Sequence, residues 1–334
     1  MTGKRLAAFV VTILMIGGAI FVRSRIDNNA SSATDGPSAS SAVVSKGVLS
    51  VVCSTEFAAA CQDLDAVYGT RVQITIEPAG NTLDRLVATQ TKDLPELWIT
   101  LAPFPAMLDE SRERRGDVVS TEPVTQTAPR VILQVDRASA LQAECLDRPL
   151  WKCIGDFAGT SWADHQGQAS WGTVRPGFAD PGTEALGLIT LANIVSGYFN
   201  DVSFSRSTWE ADDGFLRWLG RISSKSNITS GSAFATMATR PSALSIAATD
   251  SAEISITPRA SDAQYTTLSP SPTIVLQAQI ASFTAGDADL RAQVLVSLQN
   301  SLTGTYGWET AASSGQSPSA GTFVALRQLW KELS

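Results

Sequence analysis

Apolar and polar positions alternate between two periods along most of this chain. Val48 to Val52 is a short β-branched run, which ends at Cys53-Ser54-Thr55. Phe57, Ala60, Cys61, Leu64, Val67 and Tyr68 then recur at helical spacing as far as Gly69. Arg71–Glu77 alternates strictly, with Val72, Ile74 and Ile76 on one face, as an edge strand with one wet face would. After Pro78-Ala79-Gly80, Asn81 or Thr82 is expected to cap a helix carrying Leu83, Leu86 and Val87. Leu94–Leu101 reads as a third strand, emptying into Ala102-Pro103-Phe104-Pro105 and a short helix toward Arg115.

A second alternating set follows. A strand is expected over Gly172–Gly177, a turn over Phe178–Thr183, a buried helix over Glu184–Phe199, and a strand over Ala243–Ala248 that ends at Thr249-Asp250-Ser251. Asp287 and Asp289 open a helix with Leu290, Val294, Leu298 and Leu302, and Phe323, Leu326, Trp330 and Leu333 form a last amphipathic stripe. Strands alternating with helices predict an α/β body. Ala128–Arg137 and Ser271–Ile280 look alike, each a proline followed by an apolar strand with a glutamine at the same relative place. They are either two ordinary strands or a pair of hinge strands linking two lobes.

The N-terminus has a different pattern. Lys4 and Arg5 precede an uncharged apolar run, Leu6–Val22, of nearly bilayer length. It is an export signal or an anchor. Ile20-Phe21-Val22 runs straight into Arg23 and Arg25 without small cleavage-site residues, and no lipid-bearing cysteine follows, which favours an uncleaved transmembrane helix over residues 1–26. Residues 27–46, rich in Ser, Ala and Asn, bury too little surface to fold and read as a flexible linker. The folded body is thus expected outside the cytoplasm.

Composition narrows the function classes. A net charge of -7, with basic residues scattered, argues against nucleic acid. Cys53, Cys61, Cys145 and Cys153 form two doublets of equal spacing, and in an exported chain local pairing within each is the simplest of three disulfide connectivities. Zinc would want tighter spacing and more than the single histidine, His165, so no metal and no cofactor is expected.

Catalytic constellations find little support. There is no GxSxG elbow, no lysine lies three residues after a serine, and neither GxGxxG nor GxxxxGK[ST] occurs. Asp164 beside His165 would be half a triad, but adjacent residues rarely make that geometry. Asp212-Asp213 and Asp287 with Asp289 sit at helix starts, where capping and the helix dipole account for them. An extracellular hydrolase, glycosidases included, therefore trails as a reading.

Several phrases in order carry a likeness: Ser54-Thr55 after the first strand, Ala79-Gly80-Asn81-Thr82, Leu94–Ile99, Ser161–Asp164, Ala179-Asp180-Pro181-Gly182-Thr183, and Tyr306-Gly307-Trp308. The chain resembles the type 2 periplasmic-binding-protein superfamily over about residues 47–308, most closely its branch of molybdate- and sulfate-type binders. The resemblance implies a first lobe from residues 47–129 and 269–334, a second from 130–268, and two hinge strands. It also implies a small-molecule ligand, a membrane partner such as an ABC permease, and no enzymatic activity.

Ligands of such folds sit at strand carboxyl ends and helix N-termini, where neutral side chains can bind an anion. The candidate ligand-binding residues are Ser54, Thr55, Asn81, Thr82, Thr100, Thr183, Asp250 and Ser251, although helix capping explains each singly. Two departures stop the family's ligand from being carried over. Glu56 is unhelpful for a dianion, and the second-lobe tyrosine of molybdate-type binders has no clear counterpart beyond Tyr265. A membrane-anchored interaction protein that keeps the fold without a cleft is the alternative.

Overall fold

Two mixed β-sheets organise the chain in a computed structural model, which describes residues 47–112, 116–257, 265–284, 286–311 and 316–334. The expected anchor helix and linker, residues 1–46, lie outside the described residues. Among the described residues no helix is long and apolar enough to cross a membrane. Residues 45–334 form one compact unit.

The first sheet has six strands: β1 (Leu49–Ser54), β2 (Val72–Glu77), β3 (Leu97–Leu101), β4 (Ser120–Thr127), β10 (Leu276–Ser282) and β11 (Glu309–Thr310). Their order is β11-β4-β10-β3-β1-β2. β1 lies parallel to both β2 and β3, with Cys53 opposite Ile76 on one side and Ile99 on the other. β10 runs antiparallel between β3 and β4. Val72–Glu77 is an edge strand, as its alternation requires, although Ile76 is 37% exposed.

The second sheet contains β5 (Pro129–Gln134), β6 (Pro176–Ala179), β7 (Asn227–Thr229), β8 (Ile246–Asp250) and β9 (Tyr265–Leu268), in the order β7-β6-β8-β5-β9. Only Ala128 separates β4 in the first sheet from β5 in the second, and the chain returns between Leu268 and Leu276. The two look-alike segments thus contribute one strand to each sheet. β6 begins at Pro176, a turn later than the expected Gly172–Gly177 strand, because Trp171 closes a 3-10 turn and Gly172 follows it at φ 73°.

The helix Ala185–Phe199 is buried over thirteen of its fifteen residues. It packs on β6, β3 and the helices Leu150–Phe157 and Ala320–Leu333, so its apolar sequence is core and not membrane. Asn193 sits inside it at 1% exposure. Its amide donates to Ile189 O and Ile274 O, both at 3.0 Å, and its Oδ1 accepts Ile274 N at 2.8 Å. One buried amide therefore pins the return crossing to the central helix, satisfying backbone groups that would otherwise lie unpaired.

Both disulfides close within their doublets: Cys53–Cys61 joins β1 to the helix Ala58–Tyr68, and Cys145–Cys153 joins the helices Val135–Cys145 and Leu150–Phe157. No free cysteine is present among the described residues. Asp212 and Asp287 accept Phe215 N and Leu290 N, so they are N-caps, as expected. Asp164 belongs to a capping box with Ser161. His165 bonds instead to Glu144 (3.0 Å) and Thr160 (2.7 Å) and stacks on Phe157.

Candidate functional site

The strand carboxyl ends of the two sheets face a cavity of about 260 Å³. Thr55 follows β1, Leu101 ends β3, Ala179 ends β6 and Asp250 ends β8, so the space lies where open α/β sheets place ligands. The first sheet's side adds Glu56, Phe57, Tyr306 and Trp308, and the second sheet's side adds Glu184, Gly231, Ser232 and Glu253. Its volume falls just under the roughly 300–1,000 Å³ of pockets for drug-sized ligands, which suits a smaller solute. A broader depression of about 810 Å³ is lined by charged side chains of both signs, among them Arg206, Glu210 and Lys331, and by none of the predicted ligand-binding residues.

The cavity wall is acidic. Glu56, Glu184, Asp250 and Glu253 line it, and among the described residues no Lys, Arg or His does. Thr55 Oγ1 donates to Glu184 Oε2 at 2.6 Å, and Leu186 N donates to Glu56 Oε1 at 2.8 Å, two bonds that tie the start of the buried helix to the end of β1. Asp250 caps the helix Ser251–Ile256, accepting Ala252 N (2.8 Å) and Glu253 N (3.0 Å), and also takes a bond from Thr127 Oγ1 (3.2 Å). Glu253 receives the hydroxyls of Ser232 and of Thr249.

Burial pushes the Asp250 carboxyl up to about 6, with nearby Glu253 adding to the rise and the capping amides opposing it. Burial likewise raises Glu56, where Leu186 N opposes and Glu184 reinforces, and Glu253. An anion, the ligand anticipated from neutral strand-end residues, meets four carboxylates here. Glu56, Glu184 and Glu253 stand beside the neutral strand-end residues from which that ligand was anticipated, so the wall is more acidic than those residues alone suggested.

Of the eight predicted ligand-binding residues, Thr55 and Asp250 line the cavity. Ser54 and Thr100 are fully buried and bond to each other at 2.8 Å across β1 and β3. Asn81 and Thr82 are not caps: Pro78 holds the N-cap of the helix Ala79–Ala88, Thr82 Oγ1 turns back to Pro78 O at 3.2 Å, and Asn81 is exposed. Thr183 Oγ1 donates to Asp180 Oδ2 at 3.1 Å, and Ser251 N donates to Ala128 O at 2.9 Å. Tyr265 donates to Met237 O at 3.4 Å, away from the cavity.

Asn81 and Thr183 instead flank a junction between the helix Ala79–Ala88 and the turn after β6. Gly80 N donates to Thr183 O at 2.7 Å. Arg327, 7% exposed on the last helix, donates to Gly182 O through Nε (2.9 Å) and Nη2 (2.7 Å), to Gly80 O (3.0 Å), and pairs with Asp84 at 2.7 Å. That pairing holds Asp84 below its ordinary carboxylate range. A Cβ at Gly80 would stand 2.5 Å from Gly182 O, so only glycine allows this approach.

Sequence reading missed Glu184, Glu253, Tyr306 and Trp308 as cavity residues, and took Glu56 only as a departure unhelpful for a dianion. Tyr306-Gly307-Trp308 was visible as a phrase. Its use depends on Gly307 at φ 70°, where a Cβ would overlap Ser255 Oγ, so the loop can press Trp308 against Phe57 with ring centroids 5.3 Å apart.

Neither a protein-family model nor a curated protein matches the sequence. Solved structures do match its fold. The iron-bound HitA of Pseudomonas aeruginosa superposes with a TM-score of 0.54 at 12% identity, covering 86% of this chain and 99% of that one. The periplasmic binding protein AfuA of Actinobacillus pleuropneumoniae, bound to fructose-6-phosphate, gives 0.56 at 12%, covering 86% and 98%. A ferric binding protein from Campylobacter jejuni gives 0.55 at 9%, covering 85% and 96%. With two mixed sheets, one crossing at Ala128 and a return before Leu276, the chain has the type 2 periplasmic-binding-protein fold.

Proposed function

We propose that this chain is an extracytoplasmic solute-binding protein that captures a small ligand between two lobes and presents it to a membrane transporter or sensor. The observation that carries the reading is the cavity at the converging strand ends of two sheets, built from side chains far apart in sequence. Residues 47–129 with 269–334 would form one lobe and 130–268 the other, with Ala128 and residues 269–275 as the crossings about which they close. The bonds Thr55–Glu184, Glu56–Leu186 and Gly80–Thr183 then belong to the closed form. The apolar segment Leu6–Val22 would hold the body at the membrane, with residues 27–46 as slack for reaching an ABC permease or another membrane protein.

Binding is favoured over catalysis because Asp250 and Glu253 are occupied in capping and in internal bonds, and among the described residues the wall includes no histidine, lysine or cysteine. Thermal unfolding of the chain against oxyanions, sugars, amino acids, amines and short peptides tests the reading. A solute of one class raises the midpoint in proportion to the logarithm of its concentration. No rise with any class would refute capture.

A further inference from the structure

The cavity wall contains four carboxylates, and their hydrogen bonds are not equally complete. Glu184, Asp250 and Glu253 each accept a hydroxyl or backbone donor from the protein. Glu56 is satisfied on one oxygen only: Oε1 takes Leu186 N, whereas Oε2 is buried and accepts no bond from the described residues. Buried acceptors without a donor are few in folded proteins, and each calls for a partner from outside the chain, a solvent molecule or a ligand. Among the described residues the wall includes no Lys, Arg or His to answer this acidity.

The remaining lining decides what kind of cation would fit. Among the described residues no group of three or more His, Cys, Asp or Glu is arranged to hold a metal ion, so the carboxylates do not form a cage for a bare ion. Phe57 and Trp308 give the cavity an aromatic wall beside Glu56, and Leu101, Leu186 and Leu276 supply apolar surface. Aromatic faces attract organic cations, and apolar surface takes up a carbon skeleton.

Resting on the solute-capture reading above, we propose that the ligand is a small organic cation with at least one ammonium or guanidinium N–H, donated to Glu56 Oε2, and with its carbon skeleton against Phe57 and Trp308. An N–H is required because Oε2 needs a donor, which a fully methylated ammonium lacks. Glu184, held by Thr55 on the opposite side of the same junction, supplies the second negative charge.

The test is calorimetric titration of the purified chain at neutral pH with 1,4-diaminobutane, agmatine and phenylethylamine, with tetramethylammonium, and with sulfate, glucose and glycine as contrasting classes. At least one N–H cation binds saturably, tetramethylammonium binds at least roughly tenfold more weakly, and Glu56→Gln weakens the N–H cation by roughly tenfold or more, the loss of one charge-assisted bond. Glu184→Gln, which keeps an acceptor for Thr55, weakens it in the same direction and serves if Glu56→Gln does not fold. Saturable binding of sulfate, glucose or glycine without any cation overturns the inference and leaves solute capture standing. Binding of none of the probes overturns the cation inference, and solute capture is then decided by the wider thermal panel above. Equal binding of tetramethylammonium, or cation binding unchanged in both variants, overturns the assignment to Glu56.

Discussion

Replacing Arg327 by methionine removes a side chain of the last helix that links Gly182 to Gly80 and Asp84, while keeping most of its volume. Three donor contacts to backbone carbonyls disappear, two to Gly182 O and one to Gly80 O, together with the pair to Asp84. Gly80 O lies in the first turn of its helix, so its loss is that of a single additional bond, about 1 kcal/mol. Gly182 is buried, and the loss of both donors leaves its carbonyl unsatisfied, which costs about 1–3 kcal/mol. The Asp84 side chain is 54% exposed, so solvent screens that pair to about 0–1 kcal/mol. The sum is about 3 kcal/mol, read by urea unfolding of the chain at neutral pH with an unchanged m-value. Arg327→Lys falls between, because one ammonium cannot reproduce a fork spanning two carbonyls and a carboxylate. A loss under about 1 kcal/mol for the methionine variant would refute the view that this residue clasps the helix Ala79–Ala88 to the turn at Gly182.

Three further outcomes follow from the same structure. Gly80→Ala forces a methyl group to within 2.5 Å of Gly182 O and is expected to destabilise the chain by about 1–3 kcal/mol in the same assay, with a weaker effect in the background of Arg327→Met because the two share one junction. Asn193→Leu strands the amide and carbonyl of Ile274, so it lowers stability by about 2–3 kcal/mol and speeds hydrogen exchange at Ile274 N more than at the core amides of β1. Asp250, raised from 3.8 to about 6, binds its proton more tightly folded than unfolded, so its contribution is greatest below the ordinary carboxylate range and is lost as pH rises through about 6. Asp250→Asn, which keeps the cap, therefore flattens the decline in stability between those pH values by on the order of 3 kcal/mol, whereas an unchanged pH profile would contradict the burial of that charge.

Much of this architecture is legible in the residues themselves because periodicity reports burial. The alternation of Arg71–Glu77 marks an edge strand, the apolar stretch Ala185–Phe199 a buried helix, and the equal cysteine spacing two local disulfides. Ser120–Thr127 was illegible for the opposite reason. Its polar sequence contains Pro123 and carries no period, and it becomes a strand only because β10 and β11 pair with it. Asn81 and Thr82 misled because capping preferences are local, whereas Pro78 had already fixed the backbone at φ -57° and started the helix earlier. The strand-end rule located the cavity through Thr55 and Asp250 but misjudged its charge. Glu56, Glu184 and Glu253 all lie within three residues of the strand-end or turn residues singled out, and reading them together would have revealed an acidic wall.

The central claim is that a solute lodges between the two sheets, and blocking that space tests it most directly. Ala59 lines the cavity yet is solvent-exposed, so Ala59→Trp can fill the mouth without disturbing the core. Thermal midpoints of both proteins are measured across the solute panel. The wild-type midpoint rises with the concentration of the bound solute, while the variant, equal in stability without solute, shows no rise. An equal rise in Ala59→Trp would contradict the account, because the solute would then bind elsewhere.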